Sequence, residues 1–261
     1  MSDQIINHYA NDYNESIRLT RDNAHMTEYL TTIRYFDKLF ATQSHILDAC
    51  AGAGIYSFYL AEQGHIVTAG DLVPHHIDQI KAHPNASKLA DTAVCNVLDL
   101  SQFADNSFDV VLCMGALYHL WAPEERQKAV QECTRVCKPG GLVLLAYINK
   151  IAAVLENIND DVSNVDSLIS VLECPDECMF VCLSPQEVEA LAMSCGLKKR
   201  HNLTTDGIIY AVAAKLNAAT DEDFQKYMQY HYSICEDPAI IGAGIHGLWI
   251  GQKPIAAKSP Q

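Results

Sequence analysis

The stretch Ile46-Leu47-Asp48-Ala49-Cys50-Ala51-Gly52-Ala53-Gly54, with an acid further on at Asp71, decides how this chain folds. It reads as a buried strand that ends in a carboxylate, turns on two glycines and opens a helix. Glycine adds no Cβ and tolerates unusual dihedrals, so such a turn lets a nucleotide-like ligand come close to the backbone.

The same alternation repeats on both sides. Upstream, residues 15–40 have a helical pattern, with Leu19, Met26, Leu30, Ile33 and Phe36 at roughly helical spacing, behind a polar and aromatic arm that contains Tyr9 and Tyr13. Downstream, a helix over 55–63 stops at Gly64, a strand over 65–69 closes at Gly70-Asp71, and a helix over 74–82 carries Pro74 in its first turn. Strands over 92–95 and 108–113 follow. A helix over 123–137 then ends at Lys138-Pro139-Gly140-Gly141, before a strand over 142–147. Strands separated by helices imply βαβ crossovers, a largely parallel sheet, and a ligand at the carboxyl ends of the strands.

Ser184-Pro185-Gln186-Glu187 is a capping box that opens a helix through Ser194, and strands over 197–203 and 244–251 bring the count to seven. The expected fold is a single α/β domain with a doubly wound, mostly parallel seven-stranded sheet. A helical N-terminal arm occupies 1–40, the ligand-binding core 41–150, and the final helix and edge strands 184–204 and 245–253. Segments 151–183 and 205–244 are expected as helical insertions that cover the site, because an edge hairpin needs only a few connecting residues.

A chain of 261 residues with 49% hydrophobic content can bury a full core. No apolar run approaches the roughly 20 residues of a membrane span, and Met1-Ser2-Asp3-Gln4 lacks a signal-peptide layout, so a cytoplasmic protein is expected. Of the ten cysteines, Cys50, Cys95 and Cys113 lie in apolar strand-like runs. Cys133 and Cys137, and Cys174, Cys178 and Cys182, are spaced four apart without the paired two-residue gaps of common zinc sites. Reduced structural thiols and no metal are expected. The net charge of −14 disfavours a nucleic acid partner, and the tight basic cluster Lys198-Lys199-Arg200 reads as a solvated strand edge. A small neutral or cationic substrate is compatible with that charge.

A Gly-x-Gly turn with an acid about 20 residues on is also the dinucleotide fingerprint. Asp71 suits ribose hydroxyls in either case, and Ser57, where a third small residue would pack helix on strand, does not decide. Asp48 does. A carboxylate at the end of the first strand would repel a pyrophosphate and attract an ammonium group or a cationic ligand. S-adenosyl-L-methionine offers an amino group, a ribose diol and a sulfonium, and lacks phosphate.

At these residues the chain resembles the class I S-adenosylmethionine-dependent methyltransferases. Leu47 to Gly54 resembles that family's first motif, Gly70-Asp71 its ribose acid, and Cys95-Asn96-Val97-Leu98-Asp99-Leu100 its adenine-edge segment. The run from Asn106 to His119 resembles the fourth strand and its loop, and Lys138-Pro139-Gly140-Gly141-Leu142 the turn into the fifth. The resemblance covers roughly residues 40–150 and rests on several motifs in order. It implies a Rossmann-like sheet and methyl transfer to a small-molecule acceptor.

Carried over, Asp48, Gly52 and Gly54 line the methionine moiety, Asp71 holds the ribose, and Asn96 and Val97 meet the adenine, with Ala49 and Leu72 as further cofactor-binding candidates. The family often has an acid where Asn96 stands. Cys113 offers its carbonyl to the amino group, and Met114 is a further cofactor-binding candidate. Tyr9, Tyr13 and Arg18 resemble an arm that closes over the cofactor, with Arg18 as a partner for the methionine carboxylate. Tyr118 and His119 are the candidates for the reacting pocket, with His119 first as a base. Tyr13 and His231 complete the catalytic candidates, and His246 is a further polar group for the cover. The rivals are an NAD-dependent oxidoreductase and a non-catalytic cofactor-binding regulatory domain. Oligomeric state is not readable.

Overall fold

The computed structural model describes residues 17–166, 169 and 180–255. At its centre is β1 (His45–Asp48), whose last three residues are buried. It pairs in parallel with β2 (Ile66–Asp71) on one side and β4 (Phe108–Cys113) on the other. β3 (Asp91–Val94) adds to β2, and β5 (Cys137–Asn149) adds to β4. Beyond β5 lie β8 (His246–Gln252) and then β7 (Lys198–Thr204), with β8 antiparallel to both neighbours. The order is β3-β2-β1-β4-β5-β8-β7. It reverses direction at β1, so a crevice opens at the carboxyl ends of β1 and β4.

Helices cover both faces of this mixed α/β sheet. α1 (Asn23–Leu39) and α2 (Ile55–Glu62) pack Tyr35, Phe36, Tyr56 and Leu60 against Ile46, Val110, Leu144 and Leu248. α3 (Pro74–Ala82) adds Ile77 and Ile80 near Phe58 on α2. On the opposite face, α4 (Pro123–Val136) and α6 (Pro185–Ser194) bring Ala129, Val130, Cys133, Val188 and Ala192 to Val111, Val143 and Trp249. Strands covered on both faces need apolar side chains at every position, as Val110 to Cys113 supplies.

A third cluster caps the sheet end. α5 (Lys150–Asp160), α7 (Ile209–Asn217), α8 (Asp221–Ile234) and the short α9 (Pro238–Ile241) lie in the two segments read as insertions. Ala152, Ile209, Leu216, Phe224, Met228 and Ile245 pack together there, with Met26 and Leu30 of α1 against them. Ala152 follows β5 and Ile245 precedes β8, which sets this cluster at the carboxyl end of the parallel strands.

Three details differ from the sequence reading. Among the described residues, the helix read over 15–40 begins at Asn23, because Asp22 caps it by accepting from the His25 amide at 3.0 Å. β5 begins at Cys137 and runs through Lys138-Pro139-Gly140-Gly141, since Gly140 donates to the Lys253 carbonyl and Lys253 to that of Gly141. That pairing extends the ladder where a break was expected. An eighth strand, β6 (Cys182–Leu183), pairs with Ile148 and Asn149 at the end of β5. Residues 171–179, within the first covering segment, lie outside the described residues.

The β5–β8 seam tolerates no added atom at Gly247, where a Cβ would fall 2.1 Å from the ring of Tyr147. That ring is buried and its hydroxyl donates to Asn202 at 3.0 Å. Gly247→Ala is expected to cost about 1–3 kcal/mol. Urea unfolding checks this: the midpoint falls with an unchanged m-value.

Candidate active site

The loop after β1 is built by its glycines. Gly52 and Gly54 have φ of 54° and 88°, and a Cβ on Gly54 would lie 2.9 Å from both Ile80 and Phe58. A substitution there meets strain and a packed wall together. Gly54 donates to the Ala51 carbonyl at 2.8 Å, which closes the turn into α2.

The Gly52 amide is the informative one. It donates to Asp71 Oδ2 at 2.8 Å. In a phosphate cradle that amide would face the pyrophosphate; here a carboxylate of the same chain holds it. Asp71 Oδ1 accepts from the Val73 amide at 2.8 Å and lies 3.1 Å from His76 Nδ1. The acid at the end of β2 is thus fixed by three donors, two of them backbone.

Asp48 is 2% exposed and accepts from the Ser57 hydroxyl at 2.7 Å. Burial pushes its carboxyl up to about 7, against the Ser57 and Cys50 hydrogen bonds, and the nearby Asp71 charge pushes it the same way. Among the described residues no cationic side chain faces it. A buried acid without a positive partner fits an ammonium or sulfonium ligand and opposes a phosphate. The cofactor expected from the sequence therefore suits this cradle.

The other expected contacts are distributed unevenly. Ala49 is buried behind Asp48, and Leu72 follows directly on Asp71. Asn96 spends its Oδ1 on the Leu98 amide at 2.9 Å, and Val97 is buried in the core cluster. Cys113 is fully buried at the end of β4, and Met114 packs on the α1 and α2 side. The Cys50 thiol is pushed well up by a hydrogen bond to Cys113 and by burial, and burial lifts Cys95 to about 12. These cysteines are free.

Tyr118 and His119 lie on a short turn after β4, and their rings pack at 4.9 Å. Phe180 closes over both, at 6.0 Å from Tyr118 and 5.2 Å from His119. The Tyr118 hydroxyl returns toward Gly115, next to Cys50. The structure therefore brings this pair to the crevice. It does not bring His231 there. His231 is 1% exposed on α8, stacked on Tyr227 and set against Gly207, and burial holds its imidazole low. Its Nε2 is buried without a hydrogen-bond partner.

Arg18 forms a bidentate pair with Glu28 at 2.7 and 3.0 Å, an engagement the sequence reading did not foresee. Tyr9 and Tyr13 lie outside the described residues. Ser57, His76, Glu28 and Asp206, which contact Asp48, Asp71 and His246, were not singled out from the sequence. Their partners are distant in sequence or on another turn, so only Ser57, in the glycine motif's own helix, carried a local signal.

With the geometry in hand, comparison with known proteins fixes the class. Residues 47–145 match the methyltransferase-domain family. The ubiquinone biosynthesis O-methyltransferase of Coxiella burnetii is 32% identical over 106 residues, 41% of this chain and 44% of that one. The enzyme of the same name from Xanthomonas oryzae pv. oryzae is 34% identical over 111 residues, 42% of this chain and 45% of that one. The chain thus matches under half the length of these curated relatives. A SAM-dependent methyltransferase from Methanosarcina mazei superposes with a TM-score of 0.57 at 18% identity, over 85% of this chain and 97% of that one. Residues 47–145 thus match a methyltransferase domain, and the fold is the Rossmann-like sheet seen in S-adenosylmethionine-dependent methyltransferases. S-adenosyl-L-methionine is the cofactor of that class. No helix among the described residues is long and apolar enough to cross a membrane.

The raised carboxyl of Asp48 has a sign that can be tested. Its folded value lies above the unfolded one, so the native state binds the extra proton between about pH 4 and 7. Stability is lost as pH rises through that window, and the penalty persists above it. Asp48→Asn is therefore expected to raise the melting temperature of the ligand-free protein more at pH 8 than at pH 5. The same change weakens S-adenosylhomocysteine binding roughly tenfold or more, through loss of a charge-assisted contact. Calorimetry at the two pH values reads both effects.

Proposed function

We propose that the protein transfers a methyl group from S-adenosylmethionine to a small-molecule acceptor in the cytoplasm. The observation that carries this reading is the Gly52 amide held by Asp71 beside the buried, unpaired Asp48. It disfavours a dinucleotide and suits a cationic, phosphate-free cofactor. The acidic net charge and the helices at the sheet end support a small acceptor over nucleic acid. Oxygen is the accepting atom that the curated relatives' names favour.

When bound, the cofactor supplies a methyl group already activated by the sulfonium charge for in-line displacement. Asp48 and the backbone of Ala49, Gly52 and Gly54 would hold its methionine end, with Cys113 and Met114 bordering the amino group. Asp71, with Leu72, would hold the ribose, and Asn96 and Val97 would border the adenine. The protein's part is to hold the acceptor in line and to exclude water, each contributing up to several kcal/mol. Phe180, Tyr118 and the α7–α8 cover shield the crevice. His119 would accept the acceptor's proton where one must leave.

Calorimetry separates this reading from its rivals. S-adenosylhomocysteine is expected to bind and NAD is not; the reverse result sinks the proposal. Methylated product from a panel of phenols and carboxylic acids then distinguishes an enzyme from a silent cofactor-binding domain. In that assay His119→Ala is expected to slow transfer by about 100-fold or more at unchanged S-adenosylhomocysteine affinity. An unchanged rate removes His119 from the chemistry.

A further inference from the structure

We propose that His246 receives an anionic oxygen of the methyl acceptor, so that the protein's substrates are acidic small molecules. The proposal rests on the methyltransferase reading and names the substrate class for the same crevice.

Position comes first. His246 opens β8 and pairs with Ile148 of β5, while Cys113, the last residue of β4, pairs with Leu145. The imidazole therefore stands at the carboxyl end of the parallel strands, beyond the level at which β4 stops. It lies two strands across from β4, roughly 10 Å by strand spacing. Alternation along β8 puts Leu248 and Ile250 in the cluster with α1 and α2, and Trp249 on the other face. His246 shares the side of Leu248. That is the side on which Met114 packs.

Four charged groups converge there. Arg18 holds Glu28 through both carboxylate oxygens. His246 Nδ1 lies 2.8 Å from Asp206 Oδ2 and 3.5 Å from Glu28 Oε2, and the His246 amide also donates to Asp206 Oδ2 at 3.1 Å. Asp206 Oδ1 accepts from the Thr204 hydroxyl at 3.0 Å. The carboxylates are turned inward, with the Asp206 side chain at 0% exposure and that of Glu28 at 12%. The imidazole faces out: the His246 side chain is 32% exposed, and its Nε2 meets no partner among the described residues. A ligand arriving at this wall meets the imidazole N–H, while each carboxylate oxygen behind it already accepts a hydrogen bond.

Charge state decides between a base and a donor. Burial would lower the imidazole, but Glu28 and Asp206 outweigh it and hold His246 up at about 9. At neutral pH about one ring in a hundred is then deprotonated. Such a group is a poor base and a strong, charge-assisted donor. The other titratable groups packed around the pair are His25 and Tyr56, which face Glu28, and His231 and Tyr227, which face Asp206. The wall runs against the whole-chain charge, which by itself favours a neutral or cationic substrate.

The test uses the full chain saturated with S-adenosylhomocysteine and the matched probes 3,4-dihydroxybenzoate and 3,4-dihydroxybenzamide. The acid is expected to bind about tenfold tighter than the amide at pH 7. That preference should fade as pH rises through about 9. In His246→Gln it should fall below about twofold, with S-adenosylhomocysteine affinity unchanged. If that variant does not fold, the wild-type pH profile carries the test. Equal binding of acid and amide, or a preference that survives in the variant or above pH 9, overturns the proposal. So does a variant that weakens S-adenosylhomocysteine instead, since the imidazolium would then serve the cofactor's carboxylate. Failure of the wild-type protein to bind S-adenosylhomocysteine is a separate result, against the methyltransferase reading itself.

Discussion

The hydrogen bond from the Gly52 amide to Asp71 is the constraint on which the site depends. It ties the turn after β1 to the end of β2, so one carboxylate fixes the loop shape at the mouth of the crevice. Because Asp71 occupies the amide, the loop has lost the donor with which such turns grip phosphate. Asp48 then adds a second negative group at the same turn, buried and without a cation. A chain folded this way favours positive charge at the point where β1 ends.

The surroundings reinforce that preference. Ser57 holds Asp48 from the first helical turns of α2, and His76 holds Asp71 from α3. Both helices are anchored through Phe58, Ile77 and Ile80, and Phe58 and Ile80 also leave no room for a Cβ at Gly54. Packing and electrostatics are therefore one design here. Across the crevice the pattern inverts, and His246 stands forward of the buried Asp206 carboxylate that it pairs with. Two walls of opposite character suit a cationic methyl donor on one side and an electron-rich acceptor on the other.

Much of this was legible in the sequence because it is local. The alternation of apolar strands with capped helices, the glycines at 52 and 54, and Pro74 at the start of α3 are all set within a few residues. Asp48 and Asp71 announced themselves by position within motifs. The charged group around His246 did not. Arg18, Glu28, Asp206 and His246 come from opposite ends of the chain, and only the antiparallel return of β8 beside β5 brings them together. The start of α1 was misplaced for a related reason: apolar spacing continues past Asp22, but the side-chain cap ends the helix there. The Pro-Gly-Gly stretch was read as a break because local turn chemistry says so, and the pairing supplied by Lys253 overrides it.

The central claim is that Asp48 is a buried acid waiting for a cation. The most direct measurement is a carbon-13 NMR titration of its carboxyl carbon, in the free protein and in the complex with S-adenosylhomocysteine. The account predicts a midpoint near 7 in the free protein that falls by about one unit or more once the ligand's ammonium group is in place. A midpoint that does not move on saturation, or one already in the ordinary carboxylate range without ligand, would contradict it.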